Sequence, residues 1–224
     1  MKHALYDVCD MPRQIAPAAI DRLRLVETAT VGHFRMHGFM SSALLPIQQG
    51  VRVAGTAVTV RTVGVDSAAL LLALDALRPG DVLVVDRSGE DRHACFGAVT
   101  AAVARKAGAF GVIIDGRACD FHDVRAQDVP LWCRGPSPIL GRRLDLGGAV
   151  NVAVSCGGVS VCAGDAILAD DSGILVLSPG EVEGVTAEAL ARQDREVALL
   201  ERIEGGETLA DIVGAPRFRD YLKN

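Results

Sequence analysis

Two short apolar runs, VLVVD at residues 82–86 and GVIID at residues 111–115, decide the fold predicted for this chain. Continuous apolar runs of this length are typical of strands that are buried on both faces of a sheet. A polar loop, 87–92, and a segment of small residues, 94–107, separate them, and the segment predicts a helix that ends at Gly108. A strand–helix–strand unit of this kind implies two parallel strands joined by a right-handed crossover.

The flanking sequence adds elements on both sides of this unit. Upstream, the patterns predict a helix at 17–27, a strand at 51–63 and a helix at 67–77 with Ser67 as its N-cap candidate. Downstream, they predict short strands at 131–134, 150–155, 159–162 and 167–177, a charged amphipathic helix at 181–204 and a short helix at 207–213. The expected fold is α/β: a single compact domain over 1–224 with a mixed sheet and a C-terminal helix.

Composition excludes several classes of protein. The chain has 224 residues, of which 50% are hydrophobic, and its formal net charge is −5. The high apolar fraction excludes a disordered chain, and the negative charge argues against nucleic acid as a partner. No stretch is long and apolar enough to span a membrane, and the first residues show no secretory signal. Six cysteines without a C-x-x-C pair indicate reduced thiols, so we expect a cytoplasmic protein.

The ends of the two apolar strands are the first candidate site. Asp86 and Asp115 close these strands, and ligands collect beyond the carboxyl ends of parallel strands. Carboxylates in the two following loops, taken together, suit a hard divalent cation such as Mg²⁺, although each acid taken singly is better interpreted as a solvated turn residue. The charged and thiol candidates in these loops are Glu90, Asp91, Arg92, His93, Arg117, Cys119 and Asp120.

Other constellations are weaker. His33 and His37 have the i, i+4 spacing that can hold zinc on a helix, but no third ligand lies nearby, and His33 is better interpreted as a residue of a substrate pocket. Cys119 with Arg117 could form a reactive thiolate, and the alternative is a small semi-buried residue. Neither a G-x-G-x-x-G fingerprint nor a P-loop lysine is present.

Five stretches, in order and correctly spaced, resemble the RraA-like family. They are VAGTAVTV (53–60), RPGDVLVVD (78–86), the A-x-x-G of 94–97, GAFGVIIDG (108–116) followed by Asp120, and GDAILADDSGILVLSP (164–179). The family contains protein regulators of ribonuclease E and the 4-hydroxy-4-methyl-2-oxoglutarate aldolases. The resemblance implies an α/β/β domain of the swivelling type. It also implies a homotrimer or homohexamer with sites at subunit interfaces.

The resemblance also implies roles for individual residues. Asp120 matches the aspartate that holds Mg²⁺ (or Mn²⁺), largely through waters. Glu90 matches an acid that orders metal-bound water, and backbone amides near Asp91 and Arg92 would receive a keto acid. A glutamate offered by a neighbouring subunit corresponds to Glu196.

The chain departs from the family pattern at one position that matters for the substrate. Cys119 stands where the aldolases carry the arginine that grips the substrate carboxylate, and a thiol cannot make that bidentate pair. Arg117 or Arg92 could replace it. A second departure is the sequence Gly32-His33-Phe34, where many members carry an Asp-Ala pair.

Three functions follow as hypotheses. The first is a metal-dependent carbon–carbon lyase, an aldolase or decarboxylase, acting on a 2-oxo acid such as 4-hydroxy-4-methyl-2-oxoglutarate or oxaloacetate through a pyruvate-type enolate. In that mechanism the catalytic residues are Glu90, Arg117 and Asp120. The second is a non-catalytic regulator or binding protein. The third is an enzyme on a different hydroxy acid or sugar acid, with His33 or His93 as acid or base.

Overall fold

The strand predicted at 82–86 lies at the centre of the sheet in the computed structural model, which describes residues 5–221. The strands are β1 (Tyr6–Val8), β2 (Leu45–Pro46), β3 (Val53–Arg61), β4 (Asp81–Asp86), β5 (Ala94–Phe96), β6 (Gly111–Asp115), β7 (Arg117–Ala118), β8 (Leu131–Cys133), β9 (Gly148–Val150), β10 (Val154–Cys156), β11 (Val159–Val161), β12 (Ala166–Ala169) and β13 (Ile174–Leu177). The helices are α1 (Pro17–Leu23), α2 (Thr28–Gly32), α3 (Ala68–Ala76), α4 (Ala98–Ala107), α5 (Phe121–Ala126), α6 (Val182–Glu204) and α7 (Leu209–Val213), followed by a 3-10 helix (Phe218–Tyr221).

The main sheet is mixed, as predicted. Its order is β1-β9-β3-β4-β6-β8-β2, and β3, β4, β6 and β8 run parallel. Strand β3 is shared, because its first half pairs with β12 and its last two residues pair with β9. The register places Asp86 directly opposite Asp115, so the loops after β4 and β6 leave the sheet side by side.

The apolar strands are buried on both faces, as their sequence predicts. Leu83 and Val85 point into a core formed with α3, α4 and α5, whereas Val82 and Val84 point into a second core beneath the β10–β11 hairpin. A third core joins α1, α2 and α6 to the β12–β13 hairpin. Helices therefore cover one face of the sheet and a hairpin covers the other. This arrangement agrees with the expected α/β fold and C-terminal helix.

Two local predictions are corrected. The segment 94–107 is not helical throughout, because residues 94–96 form β5 and α4 starts at Ala98. Residues 94–96 are extended because they pair with β7, and the backbone N–H of Cys119 donates to the carbonyl of Phe96. Ser67 makes no capping hydrogen bond to α3. The carboxylate of Asp66 accepts from the backbone N–H of Ala68 instead.

Helix α6 is anchored only over its first half. Its buried residues are Val182, Thr186 and Ala189, and the exposed side chains beyond them include Val197 and Leu200. The second half of α6 therefore has no fully buried side chain within residues 5–221. No helix in this range is long and apolar enough to cross a lipid bilayer.

Close packing of β3 against β4 gives a test of the fold. A Cβ added at Gly55 would lie 2.7 Å from both the carbonyl oxygen of Gly80 and Cγ2 of Val82, so Gly55→Ala should lower the free energy of unfolding by about 1–3 kcal/mol. Gly184 lies in α6 with open space around its Cα. Gly184→Ala should therefore raise the stability by about 0.5–1 kcal/mol. Urea unfolding measures both, and equal effects would contradict the packing described here.

Candidate functional site

The two strand-end aspartates hold the β10–β11 hairpin over the edge of the sheet. Asp86 Oδ2 accepts from the backbone N–H of Ser155 at 3.2 Å, and Asp115 Oδ2 accepts from that of Gly157 at 2.8 Å. The other Asp115 oxygen accepts from Arg134 Nε at 2.5 Å. These two carboxylates are therefore already used in positioning the hairpin, and the candidate chemistry lies in the loops that follow them.

The loop after β4 folds back tightly on itself. Ser88 and Gly89 both have positive φ, +52° and +80°, and the backbone N–H of Glu90 donates to the carbonyl of Arg87 at 3.0 Å. A positive φ at a serine is a strained conformation that persists only where its surroundings impose it. The turn brings the Glu90 side chain next to Arg87.

The carboxylate of Glu90 accepts hydrogen bonds at both oxygens. Arg87 Nη2 lies 2.9 Å from Oε2, and His93 Nδ1 lies 2.8 Å from Oε1. The backbone N–H groups of Arg92 and His93 add contacts at 3.1 Å. Burial raises the pKa of Glu90, but the hydrogen bonds from His93 and Arg87 outweigh burial and lower the pKa to about 2. The predicted role of Glu90 in ordering a water stays a prediction.

Arg87 is a fully buried cation at the base of this loop. Its Nη1 donates to Thr62 Oγ1 at 3.0 Å, and its Nε has no hydrogen-bond partner within residues 5–221. A buried guanidinium is tolerated only when a carboxylate compensates its charge, and here Glu90 is that carboxylate. The sequence analysis did not single out Arg87, because its burial follows from the turn and not from any motif.

Asp120 is an exposed carboxylate held in a defined position. It has a positive φ of +52°, and its Oδ2 accepts from the Cys119 thiol and from the backbone N–H of Ala98, both at 3.3 Å. Its Oδ1 accepts no hydrogen bond from any residue in 5–221. Gly97 makes room for this arrangement, since a Cβ there would lie 2.6 Å from Asp120 Oδ2 and 2.5 Å from Cys119 Sγ. Gly97 is a site residue that the sequence analysis recognised only as part of a motif.

Cys119 is buried beside Asp120 and stays a thiol. Its Sγ donates to Asp120 Oδ2 and lies 3.4 Å from the carbonyl of Phe96. Burial, together with the hydrogen bond to Asp120 and the negative charge of that carboxylate, raises the pKa of Cys119 to about 12. This environment does not suit a nucleophilic thiolate.

The two arginines that could replace the missing family arginine differ in their contacts. Arg117 is tied down: it donates to Asp91 Oδ2 at 2.9 Å and to the carbonyl of Arg134 at 2.8 Å. Arg92 is exposed, and within the described part of the chain its guanidinium has no hydrogen-bond or ion-pair partner. Its backbone N–H already donates to Glu90, so this amide is not free to receive a keto acid.

His33 lies in a different place from the strand-end loops. It lines a groove of about 340 Å³ together with Thr30 and four residues of α6: Arg192, Arg195, Glu196 and Leu199. The structure therefore brings His33 and Glu196 together within one chain, away from Asp120. No contact within residues 5–221 supports the zinc reading of His33 and His37, and no group of three metal-ligating side chains occurs in that range.

The strand-end loops have two centres, one at each end of the ribbon that β5 forms with β7. His93 and Glu90 lie at the start of β5, and Gly97 and Asp120 lie at its end. Four steps along an extended strand separate the Cα atoms of His93 and Gly97 by about 13 Å, so only a ligand that side chains reach from both ends could contact both centres. The predicted residues Arg92 and Arg117 belong to the first centre, and Cys119 belongs to the second.

This chain is similar to known proteins over most of its length. Residues 6–176 match the family model described as RraA-like: Aldolase/RraA. A protein of Halalkalibacterium halodurans, named as a candidate 4-hydroxy-4-methyl-2-oxoglutarate aldolase, is 32% identical over 154 residues, which cover 69% of this chain and 73% of that protein. An uncharacterised protein of Methanocaldococcus jannaschii is 31% identical over 163 residues, which cover 72% and 77% of the two chains.

One solved structure adds a relative of a different kind. The crystal structure of Streptomyces coelicolor RraAS2, described as an unusual member of the RNase ES inhibitor RraA protein family, aligns with a TM-score of 0.75 at 28% identity. The alignment covers 84% of this chain and 98% of that one. The relatives thus include both a candidate aldolase and a member of an inhibitor family.

The Arg87–Glu90 pair should make stability depend on pH. Glu90 has a pKa of about 2 in the folded protein against an ordinary value of 4.5, so its contribution is complete above pH 4.5 and is lost as pH falls towards 2. Glu90→Gln should cost about 3 kcal/mol near pH 7, because it leaves the buried Arg87 charge unpaired. Urea unfolding at several pH values checks this, and a pH-independent difference between variant and wild type would contradict it.

Thiol labelling tests the burial of Cys119. With N-ethylmaleimide near pH 7, we expect Cys9 and Cys162, which are exposed, to react before Cys95, Cys119, Cys133 and Cys156, which are buried. Peptide mass spectrometry at short times gives the order. Labelling of Cys119 as fast as Cys9 would show that its thiolate is accessible, contrary to the geometry.

Proposed function

Since this chain belongs to the RraA-like family, we propose that it is a divalent-metal-dependent carbon–carbon lyase that acts on a 2-oxo acid. The main support for the proposal is the environment of the Asp120 carboxylate. Its carboxylate is exposed and preorganised, with one oxygen held by Cys119 and Ala98 and the other free of hydrogen bonds from residues 5–221. Suitable substrates are 4-hydroxy-4-methyl-2-oxoglutarate and oxaloacetate, because cleavage of the first and decarboxylation of the second both form the enolate of pyruvate.

The donor set at Asp120 fits a hydrated Mg²⁺ or Mn²⁺ ion. Mg²⁺ is commonly held by one or two carboxylates while it keeps several waters. Asp120 offers one such carboxylate, and residues 5–221 contain no group of three side chains that could enclose an ion without water. A bound ion would polarise the 2-oxo group of the substrate and stabilise negative charge on its oxygen. Asp120 Oδ1 would hold the ion, and Gly97 would keep the approach open.

The carboxylate of the substrate needs a cation, and Arg92 suits this role better than Arg117. Arg117 already pairs with Asp91 and with a backbone carbonyl, so it would have to break those contacts first. Arg92 is free to turn towards a ligand at the mouth of the loop. We therefore assign the gripping role to Arg92 and a loop-bracing role to Arg117.

A non-catalytic binding protein is the second candidate function, and Cys119 favours it. The thiol replaces the arginine that the aldolase pattern uses to grip its substrate, and RraAS2 shows that an inhibitor family includes relatives of this fold. A third candidate is an enzyme on another hydroxy acid or sugar acid. The exposed and preorganised carboxylate of Asp120 favours an enzyme over a purely binding role.

Self-association as a homotrimer or homohexamer is part of the proposal. A groove of about 860 Å³ between β1 and α3 is lined by exposed apolar side chains, including Val8, Leu71 and Leu72. The outer half of α6 exposes Val197 and Leu200. Exposed apolar patches of this kind are typical of protein interfaces.

Asp120 provides the direct test of the lyase. Wild-type protein should release pyruvate from 4-hydroxy-4-methyl-2-oxoglutarate or oxaloacetate with Mg²⁺ or Mn²⁺ and not with EDTA. Asp120→Asn should lower kcat/KM by about 100-fold or more, because the amide keeps the hydrogen bonds but loses the charge that holds the ion. A coupled lactate dehydrogenase assay measures release, and calorimetry measures Mn²⁺ binding.

Asp123→Asn is the matched control, since Asp123 is an exposed acid on α5 close to Asp120. It should leave turnover and metal binding unchanged. Activity retained in Asp120→Asn would remove the proposed mechanism. If the wild type binds metal but shows no turnover, a different acid is the substrate. If the wild type neither binds metal nor turns over either keto acid, the non-catalytic binding protein is favoured.

The two arginines are separated by their effect on KM. Arg92→Ala should raise KM for the keto acid by roughly tenfold or more, the scale for one hydrogen bond to a charged group. Arg117→Ala should change KM less and lower the thermal stability, because it frees Asp91. Arg13→Ala, at an exposed arginine outside the loops, is the control. A larger KM effect at Arg117 would reverse the assignment.

A further inference from the structure

We propose that His93 is the proton carrier of the lyase reaction, held in place by Glu90 and by the buried Arg87. The proposal rests on the function proposed above and assigns a residue to its proton-transfer step. A continuous chain of contacts carries it: Arg87 Nη2 to Glu90 Oε2 at 2.9 Å, and Glu90 Oε1 to His93 Nδ1 at 2.8 Å. Each member of this chain is fixed by the one before it.

The loop after β4 adopts two unfavourable features in order to hold this series of hydrogen bonds. Arg87 is fully buried with its Nε unpartnered, and an unsatisfied buried donor lowers the stability of the folded protein. Ser88 adds a left-handed backbone conformation in the same turn. A solvated turn needs neither feature. The buried Arg87 and the left-handed Ser88 together indicate that the loop conformation serves to fix the position of Glu90.

Glu90 itself is poorly suited to carry protons. Both oxygens accept hydrogen bonds, so neither has room for a proton without losing a donor. Burial opposes its ionisation, but the bonds from His93 and Arg87 lower the pKa to about 2, far from the neutral range in which a general base works best. Glu90 is therefore a positioning residue.

His93 has the geometry that a general base requires. A carboxylate can only accept, so the Nδ1 facing Glu90 carries a hydrogen, and Nε2 of the neutral ring is left with a lone pair. Nε2 makes no hydrogen bond within residues 5–221, and the side chain keeps 24% of its surface exposed. The ring is thus oriented at Nδ1, and its other nitrogen has no partner within residues 5–221.

A single imidazole is enough for a retro-aldol cleavage, because the proton removed in the first step is returned in the last. His93 Nε2 takes the proton of the C4 hydroxyl, the C3–C4 bond breaks, and its electron pair moves to form the enolate of the 2-oxo acid. The departing fragment gains a carbonyl at C4. The imidazolium then returns the same proton to C3, which gives pyruvate and restores the neutral ring. No co-reactant is needed.

His93→Asn is the decisive variant, because the Asn amide can donate to Glu90 as Nδ1 does but offers nothing in place of Nε2. We expect kcat for 4-hydroxy-4-methyl-2-oxoglutarate to fall by about 100-fold or more while KM changes less than threefold. Exchange of pyruvate methyl protons in D₂O with Mg²⁺, followed by NMR, should fall in parallel. Added imidazole should restore part of the activity of His93→Ala.

His37→Gln is the control, since His37 is exposed and lies in no centre described above. Thermal melting shows whether each variant folds. A wild-type protein without turnover would overturn the proposed function and this role together. An active wild type with His93→Asn at similar kcat, or with KM raised and kcat unchanged, would overturn the role of His93 alone.

Discussion

The parallel pairing of β4 with β6 is the constraint on which the rest of the structure depends. It sets Asp86 opposite Asp115, and these two carboxylates then hold the β10–β11 hairpin by its backbone amides. With the hairpin in place, one face of the sheet is closed, and the loops after β4 and β6 are confined to a single edge. The carboxylates at the strand ends therefore stabilise the architecture of the edge, and the residues one loop further on are left for chemistry.

The carboxylates of Glu90 and Asp120, both at this edge of the sheet, have different surroundings. Glu90 is compensated by a buried cation and by backbone amides, so its charge is locked in place and its pKa is low. Asp120 is exposed and has an oxygen to spare, so its charge is available to a ligand. The same functional group, a carboxylate, is thus held by several donors in one loop and left with an unpaired oxygen in the other, as far as residues 5–221 show. The difference arises from burial and from the number of donors around each group.

Cys119 shows how one substitution changes a pocket without disturbing the fold. The thiol fits between Gly97 and Asp120, keeps its proton, and donates to the carboxylate that we assign to the metal. The guanidinium of Arg92, which has no partner within residues 5–221, lies at the opposite end of the β5–β7 ribbon.

Much of the fold could be predicted from the sequence, because local patterns dictate it. The apolar runs at 82–86 and 111–115 predicted buried parallel strands, Gly108 predicted the end of α4, and the charged pattern at 181–204 predicted α6. The family and the candidate loops followed from motifs and their spacing. The tertiary structure decided the rest. Residues 94–96 became a strand because β7 offered a partner, and Arg87 became a buried cation because a turn placed Glu90 beside it. Which side chains share a hydrogen bond depends on backbone conformations such as the positive φ of Ser88 and Asp120, and pairing between distant segments imposes these conformations, so no local pattern encodes them.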